Sequence, residues 1–90
     1  MLKIVPSRQF KKDLKRAKKR GFPLERLAVV VDALAAGKPL EGRYHDHSLT
    51  GNYRGFRECH IEPDWLLIYR IDDGELALFL FRTGSHSDLF

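Results

Sequence analysis

Ninety residues, 43% hydrophobic and 31% charged, make room for one core of two packed layers and exclude a second domain, a disordered chain and a fibrous one. No apolar run approaches the roughly 20 residues of a bilayer span, and none near the start forms a signal-peptide core, so a cytoplasmic protein without a membrane segment is expected. The formal net charge of +4 is unevenly spread, since half of the 16 Lys and Arg fall between Arg8 and Arg20, and such a block suits an anionic partner: nucleic acid, an acidic protein or a membrane surface.

The apolar stretch "LKIVP" is stopped by Pro6 and reads as a first strand. Ser7 can cap a helix running to about Arg20, with Phe10, Leu14 and Ala17 on one stripe, lysines and arginines elsewhere, and Gly21 as a stop. A second helix starts near Pro23, carries Leu24, Leu27, Val31 and Leu34 at helical spacing, and ends at Gly37 and Pro39. Two heptads between breakers suit packing on a sheet better than a coiled coil. From Leu40 to Gly51 the chain is polar and turn-rich, an irregular loop carrying "YHDH" (Tyr44 to His47).

Three strands are predicted next, at about Tyr53 to Ile61, Trp65 to Ile71, and Glu75 to Thr83. "EPD" (Glu62 to Asp64) supplies the first turn and Asp73-Gly74 a two-residue hairpin. The sole cysteine, Cys59, falls inside a strand and reads as a small buried residue in a reducing compartment. Together these elements predict a single α+β domain over 1–90: a small antiparallel sheet with two N-terminal helices packed on one face.

Counting back from a two-residue turn at Asp73-Gly74 pairs Asp72 with Glu75 and sets Trp65 opposite Arg82, with Cβ atoms about 5 Å apart. The turn at Pro63 brings His60 beside Asp64 and Trp65, and His86 lies just beyond Arg82. One end of the sheet is thereby expected to gather His60, Asp64, Trp65, Arg82 and His86, with Phe90 folding over it. That expectation also explains why arginine, histidine and phenylalanine would stand in a tail that is otherwise prone to disorder.

These are parts for cleaving a phosphodiester. An ordinary imidazole titrates at about 6.5 and can take or give a proton at neutral pH. A guanidinium can hold the charge growing on phosphate oxygens. Trp65, Tyr69 or Phe90 could stack on an unpaired base. RNA suits the set because its 2′-hydroxyl is a built-in nucleophile, which requires no metal or other cofactor. The competing zinc reading takes His45 and His47 with His60 or Asp64 as ligands. It is the weaker one, because there is no second cysteine and the loop histidines have no fixed spacing to the others.

The segments "DHSLTG", "HIEPDWLLIY" and "RTGSHSDLF" closely resemble the YafQ-like toxins of the RelE/ParE superfamily, the toxin halves of bacterial type II toxin-antitoxin systems. The likeness extends over essentially the whole chain. It implies a RelE-like sheet with two flanking helices and a ribosome-dependent endoribonuclease that cuts translated mRNA. The family's functional positions fall on His47, His60, Asp64, Trp65, Arg82, His86 and Phe90. The expected catalytic set is therefore His47, His60, Asp64, Arg82 and His86, without a metal. Trp65 and Phe90 are expected to contact RNA, as are Lys11, Lys12, Lys15 and Lys18 of the basic helix. Expected partners are mRNA, the ribosome and a cognate acidic antitoxin. The alternative within the superfamily is a non-catalytic, ParE-like toxin that binds and poisons DNA gyrase.

Overall fold

The computed structural model describes residues 1–90. Strand β1 (Lys3–Pro6) leads into α1 (Arg8–Lys19), where the Ser7 hydroxyl accepts from Phe10 N–H at 2.9 Å as the helix cap. Helix α2 (Leu24–Ala35) follows. After the loop come β2 (His47–Ser48), β3 (Arg57–Glu62), β4 (Trp65–Asp72), β5 (Ala77–Gly84) and a one-turn helix α3 (His86–Leu89). The five strands lie in the order β1-β5-β4-β3-β2. All neighbours are antiparallel except β1, which runs parallel to β5. The fold is thus the α+β layer arrangement anticipated, with a mixed edge. No helix is long and apolar enough to cross a membrane.

Alternation along the strands gives the sheet two unlike faces. On one, Cys59, Ile61, Trp65, Leu67, Tyr69, Leu78 and Leu80 pack with Phe10 and Ala17 of α1 and with Leu27, Val30, Val31 and Leu34 of α2. On the other, Leu66 and Ile68 meet Leu89 of α3, with Leu49, Tyr53, Phe56 and Phe81 around them. Burial pushes the Cys59 thiol up to about 12, which keeps it protonated and inert at neutral pH.

Register is where the structure departs from counting. Asp72 pairs with Ala77, not Glu75, so the β4–β5 connection holds four residues, with Leu76 in the left-handed region (φ 53°). Tyr69 pairs with Leu80 but Ile68 with Arg82, leaving Phe81 as an extra residue in a bulge. Arg82 therefore stands opposite Ile68 rather than Trp65. The bulge also resets the alternation, so Leu80 and Thr83, three apart, both face the main core. A second register shift falls between His60 and Glu62.

Trp65 is 1% exposed and fills the core beneath the Pro63–Asp64 turn. Its indole N–H donates to the Thr83 hydroxyl (2.8 Å), which in turn donates to the Leu66 carbonyl (2.7 Å). Replacing Thr83 by Val is expected to strand that buried N–H and cost about 1–3 kcal/mol, and Thr83→Ser clearly less. Urea unfolding of the two variants checks this, and equal stabilities would show that the hydroxyl bridge is dispensable.

Candidate functional site

The sheet face that lacks α1 and α2 carries a row of titratable groups. Glu58 and His60 pair across to Ile68 and Leu66, the apolar residues of that face, and His47 of β2 pairs with Glu58. The buried Glu58 carboxylate takes a hydrogen bond from His60 Nε2 (3.1 Å) and lies 3.9 Å from His47 Nε2. The His60 ring centroid is 5.7 Å from that of His86, 5.5 Å from His45 and 6.5 Å from His47.

Each imidazole is oriented by a neighbour. Asp64 accepts both the backbone N–H of His86 (2.9 Å) and its Nδ1–H (2.6 Å). These two bonds hold the Asp64 carboxyl below its ordinary range. They also assign the proton to Nδ1 of His86 and leave Nε2 free for proton transfer. His47 Nδ1 donates to the His45 carbonyl (2.6 Å), which likewise frees its Nε2. His45 adopts a left-handed backbone (φ 49°), unusual for a residue with a side chain, and this aims its carbonyl at His47. The loop is anchored by Asp46, which accepts from Tyr69 Oη (2.5 Å) and Arg57 Nε (3.3 Å).

Arg82 lies apart from the imidazoles in its bonding. Its Nε and Nη2 donate to the two oxygens of Asp13 in α1 (2.7 and 3.2 Å). Asp13 is 2% exposed and also accepts from Thr83 N–H (3.2 Å). Hydrogen bonding to Asp13, opposed by partial burial, raises the Arg82 guanidinium further.

The tail is held by a third set of contacts. Ser85 and Asp88 form a reciprocal capping box around α3. Asp88 also receives Arg20 (2.6 Å) and Arg16 (3.2 Å) from the basic helix. A Cβ on Gly84 would come within 2.9 Å of Asp88 Cβ, so this close approach requires glycine. Tyr53 Oη donates to the Leu89 carbonyl (3.0 Å), and its ring meets Phe90 edge-on at 5.3 Å.

His60, Asp64 and His86 thus come together as anticipated by counting, with His47 beside them. Phe90, 62% exposed, rests on Tyr53. Trp65 must be removed from the RNA-contact set, because a core indole has no face open to a base. Lys11, Lys12, Lys15 and Lys18 are all exposed along α1. Glu58, Asp13 and Asp88 are the groups that sequence reasoning missed. Asp13 stands out in retrospect as the one acidic residue of the basic helix, three positions after Phe10.

The groups that could hold a metal also differ from the set weighed as the weaker zinc reading, His45 and His47 with His60 or Asp64. Glu58, His60 and His86 each offer one ligand atom, and these lie within 4.8 Å of one another. Two imidazoles and a carboxylate suit a zinc-like or copper-like ion.

A small α+β scaffold carrying an oriented histidine cluster, with a basic helix clamped to the segment that supplies His86, belongs to the class of bacterial type II toxins. A family model described as the bacterial toxin of type II toxin-antitoxin system, YafQ, matches residues 2–90, and the chain belongs to that family. The mRNA interferase toxin YafQ of Escherichia coli K12 is 41% identical over 88 residues, 97% of this chain and 94% of that protein. A metal-bound toxin from Helicobacter pylori superposes with a TM-score of 0.94 at 52% identity, covering 100% of both chains. The E. coli DinJ-YafQ complex superposes with a TM-score of 0.91 at 40% identity, covering 100% of this chain and 99% of that one.

Asp88 sits well below the usual carboxylate range, chiefly through Arg20 and the Ser85 N–H. A carboxyl depressed in the folded state stabilises fully above its unfolded pKa, about 3.9, and that contribution fades as pH falls below it. The protection factors of the α3 amides, observed exchange against the intrinsic rate at the same pH, should therefore be high at pH 6 and fall below about pH 4. In Asp88→Asn they should be lower at pH 6 and less pH-dependent. An unaltered acid limb in that variant would mean that Arg16 and Arg20 do not hold the tail.

Proposed function

We propose that this protein is an mRNA interferase that cuts translated mRNA on the ribosome by metal-independent acid-base catalysis. The observation that carries this reading is the His86–Asp64 pair facing His60: two imidazoles whose rings are 5.7 Å apart, one of them with its Nδ1 proton fixed and its Nε2 free. Curated YafQ from E. coli, the 41% identical relative, is named an mRNA interferase.

Two oriented proton carriers at this separation can act on a single phosphodiester. One withdraws the proton of the ribose 2′-hydroxyl as its oxygen attacks phosphorus. Another delivers a proton to the departing 5′-oxygen, leaving a 2′,3′-cyclic phosphate or its hydrolysis product. His86 leads, while His47, His60 and Asp64 share proton transfer and orientation. Arg82 keeps Nη1 available for the phosphate while Asp13 fixes the rest of its guanidinium. Phe90 offers an exposed aromatic face at the same end. The Glu58–His60–His86 set can also accommodate a metal, but a metal there would occupy the imidazoles needed for proton transfer.

Removing His86 or Arg82 should lower the cleavage rate by roughly 10² to 10⁴. Single-turnover cleavage on translating ribosomes measures this. Full activity in a His86→Ala, Arg82→Ala double variant would refute the assignment, and activity lost to chelators and restored by zinc would replace it with a metal mechanism. Intact mRNA beside stalled topoisomerase in expressing cells would point to a gyrase poison.

The partners in this reading are the ribosome in the bacterial cytoplasm and a cognate antitoxin, as in the DinJ-YafQ complex. The basic helix serves both. Arg16 and Arg20 are engaged by Asp88, but Lys11, Lys12, Lys15 and Lys18 make no ion pair within the chain and remain for phosphates or acidic side chains. Changing these four to Gln should weaken ribosome binding and flatten its salt dependence, since each neutralised phosphate releases counterions. Circular dichroism should be unaltered, because none of the four is buried. Unaltered affinity at low salt would show a merely solvated face.

A further inference from the structure

Strand β2 pairs with β3 only at Arg57 and Glu58. Beyond Glu58 no strand covers that edge, and the stretch from His60 to Pro63 borders an open groove of about 870 Å³. Arg26 and Val29 of α2 line one part of it, and Arg43, Tyr44 and His45 of the loop with His47 of β2 line another. The groove is continuous with the catalytic face through His60 and His47, which line both. Its volume falls within the range of ligand pockets.

The loop wall holds a preformed pair of an arginine and a tyrosine. The Arg43 guanidinium carbon lies 4.8 Å from the centre of the Tyr44 ring, and Arg43 Nη2 donates to Tyr44 Oη at 3.0 Å. Tyr44 packs against the main core and is therefore held still. Arg43 keeps 70% of its side chain exposed, and its single ion pair, with the equally exposed Glu41, is weak. The guanidinium is thus held beside a fixed aromatic ring and remains open to solvent. Flipped bases stack on guanidinium planes.

We propose that this groove is a subsite for a nucleotide flanking the scissile phosphate, with Arg43, supported by Tyr44, as the platform on which its base stacks. The proposal rests on the reading of the protein as an RNA-cleaving toxin and adds a determinant of which sequences it cuts. A base placed there stacks on Arg43, while its backbone leads past His47 and His60 to the phosphate under attack. Arg26, paired with Glu62 at 2.7 Å, closes the far side.

The test uses a short RNA with 2′-O-methyl groups, which binds but cannot supply the nucleophile. Titrated into the full-length ¹⁵N-labelled protein, it should shift the amides of residues 43–47 and 60–63. Arg43→Ala should weaken binding about 5- to 150-fold, the range for loss of one base stack. Arg43→Lys keeps the charge but lacks the plane, so it should bind nearly as poorly as Arg43→Ala. Mapping cut ends on translated mRNA with Arg43→Ala should show relaxed preference at one nucleotide beside the cut.

Rescue by Arg43→Lys would overturn the platform in favour of a simple charge contact. Shifts confined to other surfaces, or unaltered affinity and preference in Arg43→Ala, would overturn the subsite. If the wild-type protein binds the methylated RNA in the groove yet cuts no RNA, the subsite stands and the catalytic reading fails.

Discussion

One buried carboxylate ties the two halves of this fold together. Asp13 projects from a helix with no other acidic residue into the gap between α1 and β5, with no side-chain surface left to solvent. Its oxygens accept from Gln9, Arg16, Arg82 and the Thr83 backbone. A carboxylate in such a place is costly unless its lone pairs are filled, and removing one partner of a buried pair typically costs about 3–5 kcal/mol. The constraint runs in both directions. Satisfying Asp13 sets the height of α1 on the sheet, and it fixes the guanidinium proposed to meet the phosphate.

The Phe81 bulge makes that meeting possible. In an unbroken ladder Thr83 would turn away from Trp65, and the hydroxyl bridge that satisfies the buried indole would be lost. With one extra residue, Thr83 reaches Trp65 while its own N–H reaches Asp13. Beyond Thr83 the chain crosses Gly84 so closely to Asp88 that no side chain fits, and Ser85 at once caps the turn that presents His86. Residues 82 to 88 thus form a nearly continuous series of polar contacts.

Much of this was legible in the sequence, and the reasons differ by element. Helices α1 and α2 announce themselves because caps, breakers and apolar stripes are local signals. The β3–β4 turn was legible because proline and aspartate specify it, and this local signal brought His60 and Asp64 together. The β4–β5 register was not legible. Asp73-Gly74 suggests a two-residue turn, but Leu76 accepts a left-handed backbone and lengthens the loop, and nothing local marks Phe81 as the bulged residue. Trp65 was misjudged because an indole next to histidines looks the same in sequence whether it faces solvent or core. Asp13 and Asp88 escaped because their partners, Arg82 and Arg20, lie 69 and 68 positions away. Only the long-range pairs required the fold. Glu58 and His60 share a face by simple strand alternation, a signal that was present but unread.

The basic helix shows how a charge block can serve stability and binding at once. Two of its arginines, Arg16 and Arg20, are set apart from the lysines by their contacts. Arg16 and Arg20 turn towards Asp88 and have their charge compensated within the chain, and both form direct side-chain hydrogen bonds to it. The four lysines at 11, 12, 15 and 18 remain solvated and uncompensated. The planar, multidentate guanidinium suits a fixed internal clamp, whereas a flexible, strongly hydrated ammonium suits exchangeable contacts with phosphates or acidic side chains. A polyanion bound to Lys11, Lys15 and Lys18 would therefore sit away from the arginines that hold the His86 segment, whereas Lys12, four residues before Arg16, shares their row. Within the chain the Asp88 carboxylate already compensates Arg16 and Arg20, so the positive surface that the lysines present does not draw on the charges that hold the segment carrying His86.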